Sequence, residues 1–216
     1  MDVERIKRKY RRNARFYDAL LRRPTQRLRE KAIGRLALQP GETVFDLGCG
    51  TGLSFDALER AVGPQGHITG LEVSPDMLAR AKEKVARHGW TNVTLLEADA
   101  EEAGLEPESA DAVLCFYTHD ILNSRRALER ALAALRPGGR FVAAGGKRAS
   151  GPHGVLLNLA TFAYSLPFIT NLSGTARPWT HLEHLLGPLD VEEHLWGSAY
   201  IAHGVRGATK GKGHRA

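Results

Sequence analysis

The segment Asp46-Leu47-Gly48-Cys49-Gly50-Thr51-Gly52 constrains the fold of this chain more than any other. It ends the apolar run Thr43–Leu47 and leads into a helical pattern that reaches about Val62. Glycines there let a ligand approach the backbone closely, and the N-terminus of the following helix favours an anionic group. The spacing excludes two common sites. A dinucleotide fingerprint needs glycines at 48, 50 and 53, but position 53 is Leu, and no GxxxxGK[ST] phosphate loop is present. GxGxG with an acid just before it is a different signature.

The chain beyond this turn alternates strand and helix patterns. His67–Val73 reads as a second strand, Pro75–His88 as a helix with Met77, Leu78, Ala81 and Val85 on one face, and Val93–Glu97 and Ala110–Phe116 as further strands. The apolar spacing predicts a helix over Ser124–Arg136, ended by Pro137-Gly138-Gly139, and a fifth strand over Arg140–Ala144. A helix near Val155–Ser165, a short helix Thr180–Leu186 capped by Thr180, and strands Leu189–Trp196 and Ser198–Arg206 joined by Gly197 complete the pattern. This alternation calls for an α/β fold: a doubly wound parallel sheet, covered on both faces and closed by an antiparallel hairpin.

Charge is distributed unevenly along the 216 residues. The chain carries a formal +6, yet residues 1–35 hold 13 Lys/Arg against 4 Asp/Glu, and residues 36–202 hold 13 against 20. The body is acidic, and the basic excess belongs to the two ends. The expected division is a basic helical arm or lid over 1–37, a body over 38–206 with an insertion at about 147–180, and a disordered basic tail over 207–216. The insertion includes Ala149–Ala176, which contains no Asp, Glu, Lys or Arg; Asn158, Pro167 and Asn171 interrupt it, so it reads as an apolar insertion and not a membrane span. Cys49 and Cys115 have no Cys or His at metal-ligand spacing and read as buried thiols of a cytoplasmic protein, with no metal site.

Two more acids follow the next strands. Glu72 ends the second strand, where a carboxylate accepts both hydroxyls of a ribose, and Asp99 follows the third, where it accepts from an adenine amine. Together with Asp46 they suit a cationic ligand and repel pyrophosphate. The set DLGCGTG at 46–52, GLEVSPDML at 70–78, LLEADA at 95–100 and ALRPGGRFV at 134–142 resembles the class I S-adenosylmethionine-dependent methyltransferases. The resemblance implies a Rossmann-like seven-stranded sheet, S-adenosylmethionine as cofactor and S-adenosylhomocysteine as product. It implies that Gly48, Gly50 and Gly52, with Thr51, line the methionine part, and that Asp46 orients the amino group. Glu72 would hold the ribose, Val73 and Met77 would flank the adenine, Asp99 and Ala100 would read its edge, and Phe116 would border the site.

Within that superfamily the chain is most similar to the ubiquinone/menaquinone-biosynthesis type and related phospholipid N-methyltransferases. Their Tyr-x3-Ala-x2-Tyr-Asp motif is matched by Tyr10, Ala14, Tyr17 and Asp18. The likeness implies a helical lid that places Tyr10 at the cofactor and Tyr17 at the acceptor; the same residues also fit an amphipathic helix packed on the sheet. His119, in Phe116-Tyr117-Thr118-His119-Asp120 after the fourth strand, is the candidate base. The uncharged insertion and basic arm favour a lipophilic acceptor, a quinone precursor or lipid amine, met at the surface of an anionic membrane, the inner membrane in the cell. A soluble secondary-metabolite methyltransferase is the alternative. The acidic body, and FYTHD in place of Asn/Asp-Pro-Pro-Tyr, argue against nucleic acid.

Overall fold

The fold follows from strands whose residues are apolar on both faces. A computed structural model describes residues 25–149 and 176–207. In chain order its elements are a helical segment α1 (25–35), β1 (Thr43–Leu47), α2 (Phe55–Val62), β2 (His67–Glu72), α3 (Pro75–His88), β3 (Val93–Glu97), β4 (Ala110–Phe116), α4 (His119–Leu122), α5 (Arg125–Ala134), β5 (Leu135–Gly146), α6 (Thr180–Leu186), β6 (Asp190–His194) and β7 (Ala199–Val205). The strands form one seven-stranded sheet in the order β3-β2-β1-β4-β5-β7-β6. Pairings from β3 through β5 are parallel, and β7 runs antiparallel to both β5 and β6.

Successive residues of the central strands enter opposite cores, as the period of two requires. On β4, Ala112 and Leu114 face one cluster, with Leu28, Ile33 and Leu36 of α1 and its C-terminal end and with Phe55 and Leu58 of α2. Val113 and Cys115 face the other, with Leu128 and Ala131 of α5 and Leu182 of α6. Each Val, Leu or Phe so buried contributes about 1.5–3 kcal/mol. The switch in strand order lies between β1 and β4, so the crevice beyond their C-terminal ends is where such a sheet binds ligands.

The helix α5 stops at Ala134, and β5 begins at Leu135, five residues before the predicted strand. Leu135 remains buried but pairs with Ala110 across an irregularity in the ladder. Arg206 holds the Pro-Gly-Gly stretch within β5 from the other side: Gly138 N–H donates to Arg206 O, and Arg206 N–H to Gly139 O. The hairpin turn is wider than a single glycine. Leu195 and Trp196 take φ of 50° and 53° before Gly197 at 79°, which ends β6 at His194. Thr180 is not the cap of α6: its hydroxyl donates to Arg177 O, and Trp179 occupies the N-cap position. Between β3 and β4 the chain has no helix. There Asp99 closes a short turn, its carboxylate accepting Glu101 N–H and its carbonyl accepting the N–H of Glu102 and Ala103. The predicted helix near 155–165 lies outside the described residues.

Candidate cofactor site

Asp46 sits one residue before the end of β1, in the crevice where the strand order switches. It is only 1% exposed, and its Oδ2 has no hydrogen-bond partner. Burial pushes its pKa up to about 7; the Arg29 guanidinium pulls against that rise and the Glu72 charge adds to it. A carboxylate in this state is costly without a cationic partner. The turn beyond it is built to leave space. Gly48 and Cys49 donate their N–H groups to Leu71 O at 2.7 and 2.9 Å, which folds the turn over the end of β2. At Gly48 φ is +73°, and a Cβ there would stand 2.4 Å from Thr118 Cγ2. At Gly52 it would stand 2.5 Å from Phe55 Cδ2.

Glu72 fastens this turn from the neighbouring strand. Its Oε2 accepts Gly50 N–H at 3.0 Å and its Oε1 accepts Ser74 N–H at 2.8 Å. Burial raises its pKa, while the bonds from Ser74, Gly50 and Val73 hold it down. A carboxylate offers about four acceptor positions, so these three bonds still leave acceptor capacity for a ligand hydroxyl.

One cleft collects the turn and residues remote from it. Asp46, Gly48, Gly50, Thr51 and Phe116, all singled out by the sequence, line it. Gly52 belongs to the same turn, and its carbonyl accepts Lys84 Nζ at 3.0 Å. Met77 is buried, with Cε 3.6 Å from where a Cβ on Gly50 would stand. Val73 is half-buried just after β2. Asp99 and Ala100 do not line this cleft; Asp99 is half-buried in its turn after β3, and Ala100 packs in the core cluster of Leu47 and Leu71. His119 opens α4, half-buried, two residues beyond cleft-lining Tyr117, and does not itself line the cleft. Tyr10 and Tyr17 lie outside the described residues, as do 150–175 of the insertion and 208–216 of the tail. Among the described residues no group of His, Cys, Asp and Glu could hold a metal.

Arg29 and Tyr117 are among the cleft residues that the sequence did not single out. Arg29, from α1, is 6% exposed; its guanidinium donates to Thr25 Oγ1 at 2.8 Å and stands 4.8 Å over the Phe116 ring. The crevice is therefore not purely acidic. The signal was helical spacing: Leu28, Ala32, Ile33 and Leu36 are buried at intervals that put Arg29 on the same face. Tyr117 follows β4 with φ +60°, rare for a residue with a side chain. Its N–H donates to Ala144 O at 2.8 Å, its side chain is 41% exposed, and its ring centroid lies 5.1 Å from that of Phe116. Backbone held in that region tends to mark functional positions.

Residues 44–139, which contain the turn, Glu72 and β4, match the family model of the methyltransferase domain. Over that stretch the chain is similar to S-adenosylmethionine-dependent methyltransferase domains. It is 35% identical over 108 residues to the arsenite methyltransferase of Halobacterium salinarum, covering 48% of this chain and 27% of that protein. It is 36% identical over 115 residues to the demethylmenaquinone methyltransferase of Staphylococcus aureus, covering 53% of this chain and 47% of that protein. The chain thus spans less than half the length of these curated relatives. In fold it is similar to phosphoethanolamine N-methyltransferase 2 of Haemonchus contortus, solved with phosphomonomethylethanolamine and S-adenosylhomocysteine: TM-score 0.66 at 16% identity, covering 84% of this chain and 53% of that one. The methyltransferase site fits its cofactor chemically. The unpartnered Asp46 oxygen suits an ammonium, the glycine cradle a close-lying chain, and Glu72 a hydroxyl.

Proposed function

We propose that this methyltransferase methylates a small, lipophilic acceptor of the quinone-precursor or lipid-amine class. When bound, S-adenosylmethionine supplies an electrophilic methyl group on a sulfonium. The observation that carries the reading is the buried, unpartnered carboxylate oxygen of Asp46 at the head of the glycine cradle. Asp46 holds the donor's ammonium, Glu72 its ribose, and Phe116 and Tyr117 form an aromatic wall that keeps water from the reacting centre. Val73 and Met77 flank the adenine, and Asp99 and Ala100 read its edge. Tyr10 and Tyr17, from the 1–37 arm, close the site as a lid. His119 accepts the acceptor's proton when that acceptor is a phenol or an enolisable carbon.

The likeness to a demethylmenaquinone methyltransferase, and the uncharged 149–176 stretch that follows β5, support the lipophilic acceptor. The arsenite reading is weaker. The sequence has two cysteines, both buried, so it offers no exposed thiols for a soft metalloid. No described helix is long and apolar enough to cross a membrane; the basic arm instead supports peripheral contact with an anionic surface.

Calorimetric titration with S-adenosylmethionine tests the first half of the reading, with Gly50→Val and Glu72→Ala as controls. The parent chain binds and both variants bind far more weakly; a parent that does not bind overturns the reading. Labelled-methyl transfer to quinone precursors, lipid amines and soluble phenols then tests the acceptor. Transfer confined to soluble phenols would overturn the lipophilic class. Flotation with anionic liposomes at low salt tests the surface contact.

A further inference from the structure

The turn between β6 and β7 holds two large apolar side chains in solvent. Leu195 is 60% exposed and Trp196 86%, whereas Trp179 is buried and Trp90 half-buried. Both turn residues take a left-handed φ, 50° and 53°, which is unfavourable for any residue with a side chain. Asn or Gly would suit such a turn better and would hide no less apolar surface. The turn is nevertheless fastened. Gly197 N–H donates to His194 O at 3.0 Å, and Ser198 donates to Leu195 O from its N–H at 3.2 Å and its hydroxyl at 2.8 Å. Buried Lys147, just past β5, donates its Nζ to Gly197 O at 3.1 Å and pairs with Glu193 Oε1 at 2.9 Å. Strain held so firmly tends to mark a functional position.

This tip stands at the crevice edge of the sheet. β7 runs antiparallel to β5 with Ala199 beside Gly146, so the turn lies level with the C-terminal ends of the parallel strands. A Cβ on Gly146 would stand 3.8 Å from Cε1 of cleft-lining Tyr117 and 3.9 Å from Ser198 O, so the cleft wall and the turn meet there. The uncharged stretch 149–176 leaves from the same place, after Lys147 and the exposed Arg148. The chain returns there too, with the Trp179 ring 4.9 Å from that of Tyr200 in β7. The size of the tip argues for what covers it. A stable protein partner needs about 800 Å² on each side, whereas one tryptophan offers at most about 250 Å². A bilayer makes no such demand: tryptophan suits its interface, apolar in body and wet at the N–H, and a nearby arginine suits lipid phosphates. We propose that Leu195 and Trp196 insert shallowly into a lipid bilayer surface and set the mouth of the cofactor cleft against it. The proposal rests on the lipophilic-acceptor reading for what docking delivers, and it assigns an apolar contact to the hairpin beside any electrostatic one from the basic arm.

The test measures partition of the full chain, Trp196→Asn and Leu195→Asn onto phosphatidylcholine vesicles with and without phosphatidylglycerol. It is run in low salt and in about 0.5 M salt, where the attraction of the arm is largely screened. Asn tolerates a left-handed φ, so both variants are expected to melt at or above the parent's Tm, which separates a lost contact from a lost fold. The parent is expected to partition about tenfold more strongly than either variant at both salt concentrations, the low end of the gain from burying such a side chain. Lipids brominated on their acyl chains are expected to quench the fluorescence of the parent and not that of Trp196→Asn. A parent that binds neither vesicle, variants that bind as the parent does, or a difference that vanishes in high salt overturns the docking role. So does self-association in sedimentation that depends on Trp196, which would assign the tip to a second copy of the chain. None of these readouts uses an acceptor, so their failure leaves the lipophilic-acceptor reading standing. Transfer confined to soluble phenols overturns that reading and leaves the vesicle result as it is.

Discussion

The buried Asp46 Oδ2, which has no hydrogen-bond partner, gives a prediction that needs no substrate. Asn at this position imitates the protonated form and removes the cost of holding a buried charge. The sign follows from the two states. In the unfolded chain Asp46 loses its proton near 3.8, whereas in the folded chain it keeps it up to about 7. Between those values the folded state binds the extra proton, so raising the pH through that window weakens the fold, and above it the cost is complete. A shift from 3.8 to about 7 corresponds to about 4 kcal/mol. Asp46 is 1% exposed, so solvent does not screen this cost. Asp46→Asn should therefore stabilise the apo chain by several kcal/mol at pH 8 and by almost nothing at pH 4. At roughly 2–4 °C per kcal/mol for a chain of this size, Tm at pH 8 should rise by about 10 °C. Glu72 is also held up by burial, so the informative quantity is the difference between variant and parent at each pH. The assay is thermal or urea unfolding from pH 4 to 8, with calorimetry showing that the variant has lost affinity for S-adenosylmethionine. Parallel stability–pH curves for parent and variant would refute the reasoning, because they would mean that Asp46 already has a partner for its charge.

Further predictions follow from the same cradle. Gly48→Ala should cost more than Gly50→Ala in urea unfolding. Both take a left-handed φ, worth about 1 kcal/mol for an alanine, but only at 48 would the new methyl collide, 2.4 Å from Thr118 Cγ2. Just beyond α1, Arg140 Nε donates to Leu36 O while both terminal nitrogens grip Glu42. Glu42→Ala should loosen α1 by removing that bidentate grip, lowering stability by about 1–3 kcal/mol; hydrogen exchange over residues 25–36 would report it, and unchanged exchange there would contradict it. Both thiols should resist a thiol reagent at pH 8 in the native chain and react on unfolding. Burial holds Cys49 well above the ordinary thiol range and pushes Cys115 up to about 12.

Much of this was legible in the sequence because it depends on local chemistry. The order of strands and helices from Thr43 to Phe116 follows from periodicity, and the observed elements there begin and end within a residue or so of the prediction. Asp46 and the three glycines declare themselves because a positive φ and a buried acid need particular residue types at fixed spacing. The errors arose where a distant segment decided the local structure. Pro137-Gly138-Gly139 reads as a helix stop, yet Arg206, far along the chain, draws it into β5. Arg29 reads as one more charge in a basic arm, and only the helical spacing of Leu28, Ala32, Ile33 and Leu36 separates it from Arg27 or Lys31.

By itself, then, the sequence determined that the chain makes a doubly wound sheet with a glycine cradle headed by an acid, since hydrophobic period and glycine position act over a few residues. Only the tertiary structure decided the electrostatics of the cleft. That Asp46 Oδ2 lacks a hydrogen-bond partner, that Glu72 ties down Gly50, and that a guanidinium from α1 enters beside Phe116 are consequences of packing elements distant in sequence against one another. Burial is a property of the assembled fold, and it brings two opposite charges of the sequence into one cleft.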